Sequence, residues 1–217
     1  FRAGLGRSFR APSYNDLFYN TDLVYFKYVA NPELEAQTSI GWDIGIEQKI
    51  GDHHTLEATW FSNRIEDAIE SYANPSGDFR TYTAVNLPGT TTAEGLELGL
   101  RGSWMEDALS YRLAWTYLHE NLSAQPKNAA TVSLDWKPTP KSLVGIGATH
   151  LSDHSWGGNP IQSYTIARLY GSYQICDKVK LHARLENALD ESYQLSNFGS
   201  VIEGSGTGLY AGITVDW

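Results

Sequence analysis

Leu109-Ser110-Tyr111-Arg112-Leu113-Ala114-Trp115-Thr116-Tyr117 is the stretch on which the fold turns. Its odd positions are large and apolar or amphipathic, and its even positions are Ser, Arg, Ala and Thr. Alternation at a period of two is the mark of a β-strand with one apolar and one polar face. The same phase returns downstream in Ala130-x-Val132-x-Leu134-x-Trp136, Val144-x-Ile146-x-Ala148, Val179-x-Leu181-x-Ala183-x-Leu185 and Leu209-x-Ala211-x-Ile213-x-Val215-x-Trp217. Upstream it appears in Ile40-x-Trp42-x-Ile44-x-Ile46, Leu56-x-Ala58-x-Trp60 and Leu96-x-Leu98-x-Leu100. The segment 164–173 is less regular, with Ile166 and Tyr170 on the less apolar face. No segment shows the 3.6-residue apolar spacing of an amphipathic helix. The reading is therefore all-β, with ten antiparallel strands near 1–9, 37–50, 54–70, 78–103, 107–120, 128–137, 142–153, 162–175, 178–188 and 206–217. Strand parity requires 79–103 to be one long strand, with Pro88 and Gly89 marking a bulge or an irregular stretch within it.

Composition narrows the function classes. The 217 residues are 41% apolar and 19% charged, with seven Trp, thirteen Tyr, seven Phe and 20 Gly. That apolar content is too high for a disordered chain. One Cys, Cys176, rules out an internal disulfide framework and a multi-Cys zinc site, and leaves a free thiol as its expected state. The net charge of −9 and the lack of a basic block argue against a nucleic-acid partner. The longest apolar run, Leu23 to Phe26, is far short of the roughly 20 residues of a helical span. The chain opens at Phe1 without Met or a signal-like segment, and is read as a piece or processed product of something longer.

A two-faced strand set fits a soluble sandwich, apolar face inward, or a membrane barrel, apolar face outward. Three features favour the barrel. The polar faces carry Asp43, Glu47, Arg101, Arg112, Asp135, Lys180 and Arg184 among Gly and Thr, as a wet lumen would. Connections alternate short and long, as periplasmic turns and extracellular loops do. Trp104, Trp136, Tyr173 and Trp217 sit at short turns on the apolar parity, where an aromatic girdle would lie. The sandwich would instead bury Ile40, Leu98, Val132 and Ile213 in one core.

Phe9-Arg10-Ala11-Pro12-Ser13 with Asp16-Leu17 resembles the "FRAPS…L" signature in the barrels of TonB-dependent outer-membrane receptors. Asn31-Pro32-Glu33-Leu34-Glu35, Asn63-Arg64-Ile65-Glu66-Asp67-Ala68-Ile69 and Val85-Asn86 leading to Glu94-Gly95-Leu96-Glu97 resemble its next strands in order. Leu185-Glu186-Asn187-Ala188-Leu189-Asp190-Glu191-Ser192-Tyr193 resembles the family's "ENLFDK.Y" segment. Trp217 resembles the terminal aromatic read by the outer-membrane assembly machinery, where the family more often has Phe. The resemblance implies a 22-stranded transmembrane barrel behind an N-terminal plug. Residues 1–217 would be one partial domain, the C-terminal half of that barrel, with the plug, the energy-coupling box and the first half of the barrel outside them. The implied activity is TonB-energised uptake of a large scarce nutrient such as cobalamin or a ferric siderophore. Compact loops and the wording Phe9–Phe18 favour the cobalamin-receptor subgroup. No covalent chemistry and no cofactor are expected. The implied partners are outer-membrane lipid, the receptor's own plug, TonB, the assembly machinery and the nutrient. The implied location is a Gram-negative outer membrane. A passive channel and a soluble binding module are the alternatives. An outer-membrane enzyme would need a reactive Ser or acid pair at the rim, which the sequence does not offer.

Candidate ligand contacts are the loop residues Tyr25, Phe26, Tyr28, Trp156, Asn159, Tyr193 and Phe198, because exposed aromatics on a rigid scaffold stack on ligand rings. Arg101, Arg112, Arg168, Arg184 and Glu186 on the polar parity would face the plug. His150, Asp153, His154 and Ser155 carry the residue types of a metal or hydrolase site, but local spacing is poor grounds for one, and no metal site is expected. His53-His54 reads as a solvated turn.

Overall fold

The computed structural model describes residues 1–74, 77–78, 80–120, 125–156, 159–198 and 200–216. Its elements in chain order begin with β1 (Arg2–Arg10), a short helix α1 (Tyr14–Phe18), β2 (Thr21–Asp22), β3 (Lys27–Val29), β4 (Gln37–Ile50) and β5 (His54–Glu66). There follow β6 (Ile69–Ala73), β7 (Thr81–Asn86), β8 (Thr90–Trp104), β9 (Leu109–Glu120), β10 (Asn128–Thr139) and β11 (Ser142–Leu151). The last are β12 (His154–Trp156), β13 (Asn159–Ile161), β14 (Tyr164–Cys176), β15 (Val179–Glu186), β16 (Gln194–Phe198), β17 (Ser200–Glu203) and β18 (Gly208–Val215).

Ten of these strands form one sheet in the order β1-β4-β5-β8-β9-β10-β11-β14-β15-β18. Each sheet strand pairs with its neighbours in sequence, as in an up-and-down meander, and pairing from β9 to β18 is antiparallel throughout. Register keeps the apolar phase on one face. Val132 lies between Leu113 and Ala148, which in turn pairs with Ala167. Tyr173 pairs with Leu181, which pairs with Ile213. A slip of one residue would move each strand's apolar set to the other face.

The sheet does not bury that face. Ile40 is 51% exposed, Val132 47% and Ile213 64%, and Leu98 is half-buried. The single core that a soluble sandwich requires is absent from these four positions. Sheet residues present their apolar side outward, as a lipid-facing surface does.

Two predicted strands are shorter than alternation suggested. The long strand read over 79–103 is two elements: β8 belongs to the ten-stranded sheet, and β7 leaves it. The break falls at 87–89, where Gly89 has φ +87, a left-handed conformation that suits glycine. The strand read over 54–70 likewise ends at Glu66, because Asp67 takes φ +53 and turns the chain. β6 and β7 then join β2 and β3 in a four-stranded sheet of order β2-β3-β7-β6, with β3 parallel to β7.

The chain divides into two compact units, 1–2 with 44–60 and 95–217, and 3–43 with 61–94. In the second unit Leu34, Ile69 and Ala84 form a small buried cluster with Leu17 against it. Helix α1 carries a reciprocal cap: the Ser13 hydroxyl accepts from the Asp16 amide, and the Asp16 carboxylate accepts from the Ser13 amide. In the first unit Leu118 and Ile161 are buried. All these buried apolar groups lie in the long connections or at the strand ends that adjoin them.

Candidate functional site

The long connections supply the candidate ligand-contact residues, and each unit is taken by itself. In the second unit Tyr25 is exposed, whereas Phe26 stacks on Tyr82 at 5.7 Å between ring centroids. Tyr28 is 5% exposed, packs edge-on against Tyr72 and donates its hydroxyl to Asp16 at 3.2 Å. Of these three rings, Tyr25 alone stands clear of the surrounding packing. Arg80 bonds Asp22, and Lys27 lies 3.7 Å from the same carboxylate, so charge pairing holds β2 and β3 to the start of β7.

Asp16 is the polar centre of that unit. Burial works against its charge, but hydrogen bonds from the Ser13 hydroxyl and amide, from Ser71 and from Tyr28 outweigh it and hold the carboxyl below its ordinary value of 3.8. Burial first, and the Asp16 bond second, push the Tyr28 hydroxyl up to about 12 from 10.0. A carboxyl lowered by folding stabilises fully above its unfolded value and loses that contribution as pH falls through the folded one. A phenol raised by folding stabilises fully below pH 10.0 and loses its contribution between there and about 12. Protease access to residues 11–36 should therefore be flat from about pH 5 to 9 and rise on either side. Asp16→Asn should abolish the acid limb. An acid limb unchanged in that variant would show that another group drives it.

In the first unit Asn159 faces Trp156 across the β12–β13 hairpin. The side chains of Trp156 and Phe198 lie outside the described residues. Tyr193 rests against Tyr164, ring centroids 4.7 Å apart. Asn187, 2% exposed, organises the connection around them. Its amide nitrogen donates to the Glu191 and Ser205 carbonyls at 2.8 and 3.1 Å, and its amide oxygen accepts from the Glu191 N–H at 2.9 Å. The Asn187 carbonyl accepts from the Thr207 hydroxyl at 2.8 Å, and the Asp190 carboxylate accepts from the same hydroxyl and from the Thr207 amide. Tyr164, Asn187, Glu191 and Glu203 were not singled out by the sequence as site residues, although Asn187 and Glu191 stand inside the Leu185–Tyr193 segment.

His150, Asp153, His154 and Ser155 do not converge. His150 Nδ1 meets the Thr165 hydroxyl at 2.9 Å, His154 Nδ1 meets the Ser152 carbonyl at 3.0 Å, and Asp153 accepts from the Ser163 amide at 2.6 Å. His150 is spent on the neighbouring strand β14, and Asp153 and His154 on their own connection. Among the described residues no group of three or more His, Cys, Asp or Glu is placed to hold a metal.

The polar face holds the predicted plug-facing residues. Arg101 pairs with Glu57 at 2.5 Å and approaches Glu47 at 3.9 Å. Arg184 lies 3.5 Å from Glu186 and over the Tyr210 ring. Arg168 closely flanks Gly147, and Tyr170 donates to Asp135 at 2.6 Å. Near the short turns, Arg101, Arg112, Asp135 and Lys137 line a polar cavity of about 440 Å³. On the opposite face Trp104 stacks on Tyr111 at 4.5 Å, and His54 lies 5.7 Å from Trp104 with Nδ1 3.0 Å from the Tyr111 hydroxyl. His54 is therefore not a solvated turn residue: as the first residue of β5 it takes the apolar parity and packs with the aromatics. Trp136 and Tyr173 are each 51% exposed on that face. Trp217 lies outside the described residues. Cys176 is an exposed free thiol at the end of β14.

Residues 1–188 match the family described as TonB dependent receptor-like, beta-barrel. The chain belongs to this family. Two curated proteins are similar over nearly its whole length. The ferric enterobactin receptor of Pseudomonas aeruginosa is 26% identical over 96% of this chain and 34% of its own length. The vitamin B12 transporter BtuB of Vibrio vulnificus is 24% identical over 97% of this chain and 34% of its own. The chain thus spans about a third of the curated relatives it matches. Among solved structures, the ferric enterobactin receptor of Pseudomonas aeruginosa superposes with a TM-score of 0.76 at 20% identity, covering 98% of this chain and 37% of that one. The copper transporter OprC gives 0.77 at 16% identity, with 98% and 36% covered. The family match places the ten-stranded sheet in a TonB-dependent receptor-like β-barrel, and the solved structures share its fold.

Proposed function

We propose that these residues form part of the wall and outer mouth of an outer-membrane importer that takes up a large scarce nutrient with energy delivered through TonB. The observation that carries the reading is the exposed apolar face, in register across a sheet of this family and backed by a charged opposite face. Lipid would cover the first, and a plug the second. Relatives named for ferric enterobactin and for vitamin B12 stand at similar identity, so nutrient class is read from the loops, whose compactness favours a cobalamin-like ligand. No covalent step is needed: substrate would be held by the long connections and released through the lumen as the plug is remodelled. The C-terminal strand would engage the assembly machinery. A passive channel would have no use for the FRAPS and ENALD segments.

Growth rescue tests the reading. A strain lacking its own receptors, expressing the native polypeptide that carries these residues, should grow on a limiting nutrient of this class only when TonB is present, and the polypeptide should fractionate with outer membranes. Growth independent of TonB would favour the channel. Reversing Arg112 and Arg184 to Glu should lower plug retention and uptake, since a charged face that docks a plug cannot change sign freely. Unchanged uptake and detergent resistance would remove those two residues from plug docking.

A further inference from the structure

The long connections, 11–36, 67–89, 121–127, 152–163 and 187–207, hold 11 of the 25 acidic residues and 3 of the 16 Lys and Arg, so nearly the whole formal charge of −9 resides there. Within the first unit, the connections 152–163 and 187–207 contain no Lys or Arg at all. Between them lies a concave cavity of about 590 Å³ whose lining includes Tyr164, Tyr193, Glu191, Glu203, Gln162 and Ser192. That volume is in the range of small-molecule sites.

Its aromatic wall is clamped. The Gly204 amide donates to the Tyr193 carbonyl at 2.8 Å, and the Tyr193 ring lies so close over Gly204 that a Cβ there would overlap it. Tyr164 braces the ring from β14. The main chain of Glu191 is tied to Asn187 at both its amide and its carbonyl, so the carboxylate is presented from a fixed backbone. Asp190 is used by Thr207, but among the described residues no cation pairs with Glu191 or Glu203.

We propose that this cavity binds a cationic, ring-bearing organic ligand, packed against the Tyr164–Tyr193 wall and neutralised by Glu191 and Glu203. A ring cation gains from the π-faces and from the carboxylates together. An anionic chelate would meet repulsion from both acids and find no Lys or Arg in either connection. The inference rests on the reading of these connections as the ligand-receiving end, and it gives that reading a substrate class.

Two dyes with the same xanthene ring and opposite charge separate the cases: rhodamine 123, a monocation, and fluorescein, a dianion. Binding is read by fluorescence anisotropy on the purified native polypeptide in detergent, where neither TonB nor uptake is needed. Rhodamine 123 should bind saturably, and at least tenfold more tightly than fluorescein. Its affinity should fall when salt rises from about 20 to 200 mM. Glu191→Gln with Glu203→Gln, and separately Gly204→Ala, should each weaken it at least tenfold, while the heat-dependent gel shift reports an intact barrel. Fluorescein binding as tightly as rhodamine 123, or a double variant with wild-type affinity, overturns the cation site. Cation binding that persists in a protein unable to support TonB-dependent growth overturns the importer reading and leaves the site standing.

Discussion

Leu98→Arg should lower barrel stability by about 2–4 kcal/mol, and Ile213→Arg by a similar amount, in a denaturant titration of the native polypeptide folded into lipid vesicles. Leu98 lies beside Leu113, Trp115 and Val132 on the apolar face, and Ile213 is 64% exposed there. A guanidinium at either place would enter hydrocarbon with no partner. The neighbour supplies the control. A side chain at Gly99 would meet only Glu57, 3.5 Å from its Cβ, on the charged face. Gly99→Arg should therefore cost under about 1 kcal/mol, since a wet ion pair contributes little in either direction. Equal losses at 98 and 99 would invalidate the assignment of faces.

Asn187→Ala should be the most damaging change in the long connections. Asn187 combines a left-handed backbone, φ +48, with three side-chain hydrogen bonds and near-complete burial. At about 1 kcal/mol per bond, plus the strain of a Cβ-bearing residue that lacks the Asn preference for this conformation, the local loss is about 3–4 kcal/mol. Hydrogen exchange at Glu191 and Thr207 should accelerate by two orders of magnitude or more. Asn187→Gly should recover only the backbone share. The sheet register should be untouched, so the far-ultraviolet spectrum would not change while exchange in 187–207 does. Normal protection at Glu191 in Asn187→Ala would show that the connection is held by something else.

The strands were legible because a two-faced sheet imposes a period that the side chains themselves carry: Leu113, Val132 and Ala148 needed no knowledge of their partners to be placed on one face. Alternation does not say which sheet a strand joins. Thr81 to Asn86 alternates acceptably, yet it pairs with β3 and β6, because Asp67 and Gly89 turn the chain out of the main sheet on either side. Helix α1 is too short to show a period, and its Ser13–Asp16 cap became visible only in the structure. Tyr28 and Tyr25 look alike in sequence. Only the distant meeting of Tyr28 with Asp16 and Tyr72 distinguishes the packed ring from the exposed one. The exposure of Trp104, Trp136 and Tyr173 on the apolar face followed from parity. The partner His54 did not, because an imidazole at the first position of a strand does not reveal in sequence that it will pack on Trp104 and bond Tyr111.

The buried apolar groups beyond the strand ends carry a calorimetric consequence. The heat-capacity rise on unfolding comes from apolar surface passing into water. In detergent the outward face of the sheet stays among hydrocarbon chains whether the strands are paired or not. The increment should then arise chiefly from the small clusters around Leu34, Ile69, Ala84 and Ile161. This polypeptide should accordingly show a flatter stability curve with temperature than a water-soluble domain of equal length.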